Sequence, residues 1–231
     1  MTESRDARVQ AASEMREPAA PDFRRPIALA VGVGATVAFV ILRLVVALGD
    51  TKPLDIDIWW HDVMVATLTD AGVVVALVPG VVGGTLGMIV IGILVTVLFL
   101  IRKRPWDAVT LASAIVVVVA IGAPMAAVIA RVRPADSLAE SVDTSFPSGH
   151  TAVATTFVII LSFILRRRYV WMIGIAWVVL MMWSRTYLYA HWLSDVVAGM
   201  LEGIAVATLV WCAVETVRDN HALRAQRDST V

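Results

Sequence analysis

Apolar stretches long enough to cross a lipid bilayer leave a chain few folds to choose from. Six occur here: Pro26–Leu48, Ala71–Ile101, Trp106–Ala130, Thr151–Leu165, Tyr169–Leu188 and Leu193–Val217. A helix of about 20 apolar residues crosses the hydrocarbon. Only helices and closed barrels satisfy their backbone there, and these runs are far too long for barrel strands. The expected fold class is therefore all-α, a six-transmembrane-helix bundle. Thr151–Leu165 is short, but Pro147–His150 can begin its helix. Ala71–Ile101 is interrupted at Pro79–Gly80 and Gly83–Gly84. The part after the glycines can cross alone, and the part before reads as an outer extension.

Composition agrees. The chain is 59% hydrophobic and 16% charged, whereas a soluble domain is about 45–50% apolar and about 25% charged. The membrane bilayer is thus the expected partner. With 19 basic and 19 acidic residues the net charge is +0, which argues against nucleic acid as a partner. Cys212 is the only cysteine and lies in an apolar run. It allows no intrachain disulfide and no thiolate metal site.

Residues 1–25 are polar, lack an early apolar core, and read as a disordered tail rather than a signal peptide. Residues 26–217 form the expected membrane domain and 218–231 a second tail. Ile56–Leu68 mixes Trp59, Trp60 and aliphatic residues with polar ones, the pattern of a short interfacial helix. With six spans, the basic groups Arg24–Arg25, Arg102–Lys103–Arg104, Arg166–Arg167–Arg168 and Arg218 fall on one side. The positive-inside rule makes that side, and both termini, cytoplasmic.

The opposite side receives the residues with chemistry. A helix beginning at Pro147–Ser148–Gly149–His150 presents unpaired N–H groups and a positive dipole end, a natural anion site. The plain alternative is an ordinary cap at Ser148, which leaves His150 unexplained. His191 and Asp195 are four apart and share a helix face. A carboxylate there can accept from one ring nitrogen and leave the other as base or nucleophile. The alternative is a structural hydrogen bond at a helix start. Arg133 and Arg185 add guanidinium forks suited to phosphate. Asp136, Glu140 and Asp143 share the loop with Arg133 and are alternative partners for it. Ionisable groups at the edge of a membrane call for a functional explanation.

Arg133–Pro134, then Pro147–Ser148–Gly149–His150, then Ser184–Arg185 with His191 and Asp195 resemble the three-part signature of the type 2 phosphatidic acid phosphatase (PAP2) family. The resemblance covers residues 55–215 and includes the six-span layout. That family contains bacterial undecaprenyl-pyrophosphate and phosphatidylglycerophosphate phosphatases. The resemblance implies an integral-membrane lipid phosphatase, independent of metal and needing no cofactor. Its substrate would be an isoprenoid or glycerolipid mono- or diphosphate. His191 would be the nucleophile, His150 the acid and base, and Asp195 the residue orienting His191. Arg133, Ser148, Gly149 and Arg185 would hold the phosphoryl oxygens. One position departs: the family's first motif begins with a lysine, and Ala126 stands there. Arg131 is the nearby candidate substitute. A phosphotransferase using the same residues, and a lipid-phosphate binding or transport protein without catalysis, are the alternative functions.

Overall fold

The computed structural model describes residues 23–139 and 144–229. The predicted tail before Phe23, and Glu140 and Asp143 of the loop, lie outside the described residues. Within them there are eight helices and no strand. These are α1 (Arg24–Leu48), α2 (Asp55–Ala66), α3 (Asp70–Val82), α4 (Thr85–Ile101), α5 (Pro105–Ile129), α6 (Gly149–Leu165), α7 (Arg168–Tyr187) and α8 (Leu193–Asp228). The single bridge pairs Val132 with Thr144 across the loop after α5.

Four helices, α1, α5, α7 and α8, are long and apolar enough to cross a membrane. The run Ala71–Ile101 divides into α3 and α4, which are bent by 47° at the Gly83–Gly84 break. The glycines therefore end a helix rather than interrupt one. α6 is apolar but shorter, at 17 residues. α8 runs to Asp228, past the predicted boundary at Val217. Its last turns are rich in Arg, Ala, Leu and Gln, all good helix formers. Large aliphatic side chains such as Ile27, Val37, Ile93, Val116, Ile173 and Val179 are about half exposed or more on several helices. Continuous apolar exposure of that kind suits hydrocarbon.

α8 is the axis of the bundle, and α1, α5 and α6 pack along it. Gly199 and Gly203 let α6 approach closely. A Cβ at Gly199 would stand 2.4 Å from the Ser148 carbonyl oxygen, and one at Gly203 would stand 2.6 Å from that of Ala152. Small residues spaced by four permit this backbone contact in membrane helices. The consequence is positional: the start of α6 lies against the start of α8, and the Ser148 amide donates to the Asp195 carbonyl at 3.0 Å.

α2 and α3 close the same end. Asp57 occupies the third helical position of α2 and accepts from the Leu54 amide at 2.9 Å, a reach-back cap. α3 is pinned from α7. The Tyr187 hydroxyl accepts from the Thr69 amide and donates to the Thr67 carbonyl, both at 2.9 Å. Met64, Ala76, Tyr187, Leu188 and Tyr189 form the small core that joins α2, α3 and α7.

Candidate active site

α5 and α7 end where α6 and α8 begin, and the polar residues singled out above collect there. Left-handed residues turn the chain at this end, among them Ala130 (φ 49°) after α5 and Tyr189 (φ 54°) after α7. Such a backbone is uncommon without glycine. After Tyr189, the Ala190 and His191 amides both donate back to the Arg185 carbonyl, at 3.0 and 3.2 Å. His191 is thereby fixed over the last turn of α7.

His191 is 4% exposed. Its Nδ1 lies 2.8 Å from the Ser145 carbonyl oxygen. A carbonyl only accepts, so Nδ1 carries the proton and donates. Nε2 then keeps its lone pair, and it lies 3.2 Å from Arg133 Nη1, which donates to it. The same Nη1 also donates to the Ala190 carbonyl. Burial holds the His191 imidazole below its ordinary pKa, with Asp195 opposing the shift and Arg133 adding to it. The ring is neutral at neutral pH, with one lone pair aimed at a guanidinium.

The partner expected for Nδ1 was Asp195, and here the structure differs. Asp195 Oδ2 stands 3.8 Å from Nδ1, beyond hydrogen-bond reach. That oxygen instead accepts from the Trp192 amide at 2.9 Å. The Ser145 carbonyl fixes the tautomer, and the carboxylate acts on the ring through charge.

Arg131 requires a correction of the expectation that it holds phosphate. Its Nη1 donates to Ser194 Oγ at 2.7 Å and Asp195 Oδ1 at 2.5 Å. Nη2 donates to Asp57 Oδ2 at 2.7 Å and the Lys52 carbonyl at 3.1 Å. Nε donates to the Thr51 carbonyl at 3.3 Å. Guanidinium has five donors, and all five are engaged in a wholly buried site. None is left for a ligand. Arg131 instead joins α2 to α8 through two carboxylates, each of which also caps its own helix. Ser194 completes the joint, its amide donating to Asp57 Oδ1 at 2.7 Å.

Arg185 is 2% exposed and lies against α3. Its Nη2 donates to Ser184 Oγ at 2.9 Å, and Ser184 Oγ donates to the Ala76 carbonyl at 2.5 Å. A Cβ on Gly80 would stand 2.0 Å from Nη2, so only glycine leaves room for this guanidinium. One turn on, a Cβ on Gly84 would stand 3.6 Å from His150 Nε2. The end of α3 thus lines Arg185, and the break after it lines His150. Ser148 is buried and accepts from Thr151 Oγ1 at 3.2 Å, which leaves its own proton to donate. It does not cap α6 with its side chain. Gly149 is exposed, with open space where a Cβ would be. At the rim, His61 Nε2 pairs with Asp136 at 3.2 Å, and the His61 ring packs on Tyr189 and Trp192.

Residues 107–219 match the sequence model of the PAP2 superfamily, a span that includes Arg133, Ser148–His150, Arg185, His191 and Asp195. Over that span the chain is similar to the PAP2 superfamily. An undecaprenyl-diphosphatase of Sulfolobus acidocaldarius is 32% identical over 123 residues, 50% of this chain and 59% of that relative. The match spans less than two thirds of the relative's own length. The crystal structure of a transmembrane PAP2-type phosphatidylglycerolphosphate phosphatase from Bacillus subtilis superposes with a TM-score of 0.71. It is 21% identical, and the match covers 80% of this chain and 96% of that one. LpxE of Aquifex aeolicus gives a TM-score of 0.58 at 23% identity, over 65% of this chain and 92% of that one. These likenesses show a shared fold. With its apolar helices, they make this chain a multi-pass membrane protein.

Sequence reasoning gave Asp57, Gly80, Gly84 and the Ser145 carbonyl no role in this site. Asp57, three residues into a helix, carried a capping signal, and the glycines were visible as interruptions. Nothing in the sequence marks a backbone carbonyl as the acceptor for His191.

Proposed function

We propose that this protein is a PAP2-type lipid phosphatase that works through a phosphohistidine. The observation that carries the proposal is the His191 ring: Nδ1–H held by the Ser145 carbonyl, Nε2 facing Arg133. The Nε2 lone pair attacks phosphorus, the N–P bond forms, and the bond from phosphorus to the leaving oxygen breaks. His150 protonates that oxygen. His150 then takes a proton from water as the water oxygen attacks phosphorus. Inorganic phosphate leaves, and His191 returns with its lone pair. During the phosphohistidine stage the ring is cationic, and Asp195 at 3.8 Å stabilises it. Arg133, Arg185, the Ser148 hydroxyl and the Gly149 amide hold the phosphoryl oxygens. Stabilising charge there is most of what phosphoryl transfer asks of a protein.

A lipid substrate is supported by an apolar groove of about 360 Å³ between α4, α6 and α7, lined by Val82, Met88, Phe157, Leu161, Ile173 and Trp177 among others. Its Val82 end is two residues from Gly84, beside His150. A hydrocarbon chain in the groove leaves its phosphate at the histidines. The name of the Sulfolobus relative makes an isoprenoid diphosphate the first substrate to test. We further assign six crossings, with α3–α4 counted as one and α6 as another. In that arrangement the basic loops face the cytoplasm and His191 faces the opposite leaflet.

The test is phosphate release from undecaprenyl diphosphate and phosphatidic acid by purified protein, beside His191→Ala. Release by the wild type alone, with acid-labile phosphate trapped on the protein after rapid quench, supports the mechanism. Equal release by both proteins rejects it.

A further inference from the structure

The end of the bundle away from His191 holds a polar cavity of about 450 Å³. Its wall includes Lys103, Arg104, Arg166 and Arg218, against the carboxylates Asp107 and Glu215. Both carboxylates are engaged. Asp107 Oδ2 lies 2.5 Å from Arg104 Nε. Glu215 lies 3.3 Å from Arg218 Nη1 and 3.8 Å from Arg25. Asp219, nearby on α8, pairs with Arg25 at 2.6 Å. Among the described residues, Lys103 and Arg166 make no ion pair.

Backbone conformation makes these two cations notable. Lys103 (φ 55°) follows α4 and Arg166 (φ 52°) follows α6, both in the left-handed region. Glycine is the usual residue at such helix ends because a side chain there is sterically costly. The helix dipole favours a cation in the last turn, but it does not require one at the left-handed position itself. The floor of the cavity is aromatic: the Phe163 and Trp211 rings pack at 4.7 Å and join the main hydrophobic core. The cavity is thus cationic at its mouth and apolar at its base, the reverse image of an anionic phospholipid at the edge of a bilayer. Basic pockets between helix ends are suited to such head groups.

We propose that this cavity binds the head group of an anionic phospholipid, at a site separate from the one that holds His191. The phosphate lies between Lys103 and Arg166, and the first methylenes of the chains rest on Trp211 and Phe163. This inference does not depend on the phosphatase reading.

Native mass spectrometry of the full chain in detergent tests it, with phosphatidylglycerol, phosphatidylcholine of the same chains, and inorganic phosphate as probes. The wild type retains phosphatidylglycerol in preference to phosphatidylcholine. The pair Lys103→Gln with Arg166→Gln weakens that retention by about tenfold, without changing phosphate release from a detergent-dispersed lipid phosphate. The charge-preserving pair Lys103→Arg with Arg166→Lys keeps it. Equal retention by the wild type and the glutamine pair would overturn the proposal. So would equal retention of the two lipids, or displacement of phosphatidylglycerol by equimolar inorganic phosphate.

Discussion

Arg131 Nη1 donates to Asp195 Oδ1 at 2.5 Å, and neither side chain has any exposure. The same guanidinium holds Asp57 of α2. The arginine nearest in sequence to Arg133 therefore belongs to the scaffold, not to the proposed phosphate pocket. Removing one partner of a buried pair leaves an uncompensated charge and costs about 3–5 kcal/mol. Arg131→Ala is expected to lower the thermal midpoint in detergent sharply, and Arg131→Lys is expected not to restore it, because lysine has three donors rather than a fork of five. A phosphate ligand would behave differently: Arg131→Ala would keep its midpoint and raise KM alone.

Gly80 separates positioning from folding. The atom a Cβ would strike is the far end of Arg185, which can move without disturbing the helices. Gly80→Ala is expected to keep the thermal midpoint while lowering kcat/KM by about a hundredfold, the scale of loss from a misplaced catalytic contact. Gly92→Ala, where nothing lies within 4 Å, is the silent control. Equal activity of the two variants would show that Arg185 has no part in turnover.

As the proposed nucleophile, His191 must be neutral to attack. Its ordinary value is 6.5, and burial moves it lower. The neutral fraction rises with pH and is already dominant at pH 6.5. The acidic limb of kcat/KM, which reports the free enzyme, is therefore expected to fall below that pH. An acidic limb above 6.5 would assign the titration to another group.

The Tyr187 hydroxyl both caps α3 and ties it to the preceding turn. Tyr187→Phe leaves the Thr69 amide and the Thr67 carbonyl without this partner. Both threonines are exposed, so water can replace the lost partner and the expected cost is about 0.5–1.5 kcal/mol, the net worth of a typical hydrogen bond. Faster hydrogen exchange confined to the start of α3 is the measurement that checks it.

The apolar runs were enough to determine the helical class and the location of most helices, because about 20 apolar residues have few other uses. The order of Arg133, Ser148–His150, Arg185, His191 and Asp195 was enough to place the site at one end, since those residues flank runs that alternate in direction. Short-range signals also predicted α2 to within two residues at either end. What the sequence could not settle was which partner each charged group takes. Arg131 and Arg133 are two apart and chemically identical, yet one is buried between two carboxylates and the other faces the His191 ring. The same holds for His191, whose Nδ1 chose a backbone oxygen from a loop far along the chain over the carboxylate four residues away. Such choices depend on distances between helices that meet only in three dimensions. Gly199 and Gly203 set how closely α6 meets α8, and the left-handed turns after α5 and α7 set where the next side chains fall. Hydrophobic pattern is local and survives in the sequence; hydrogen-bond partnership at this site is non-local and was decided by the packing.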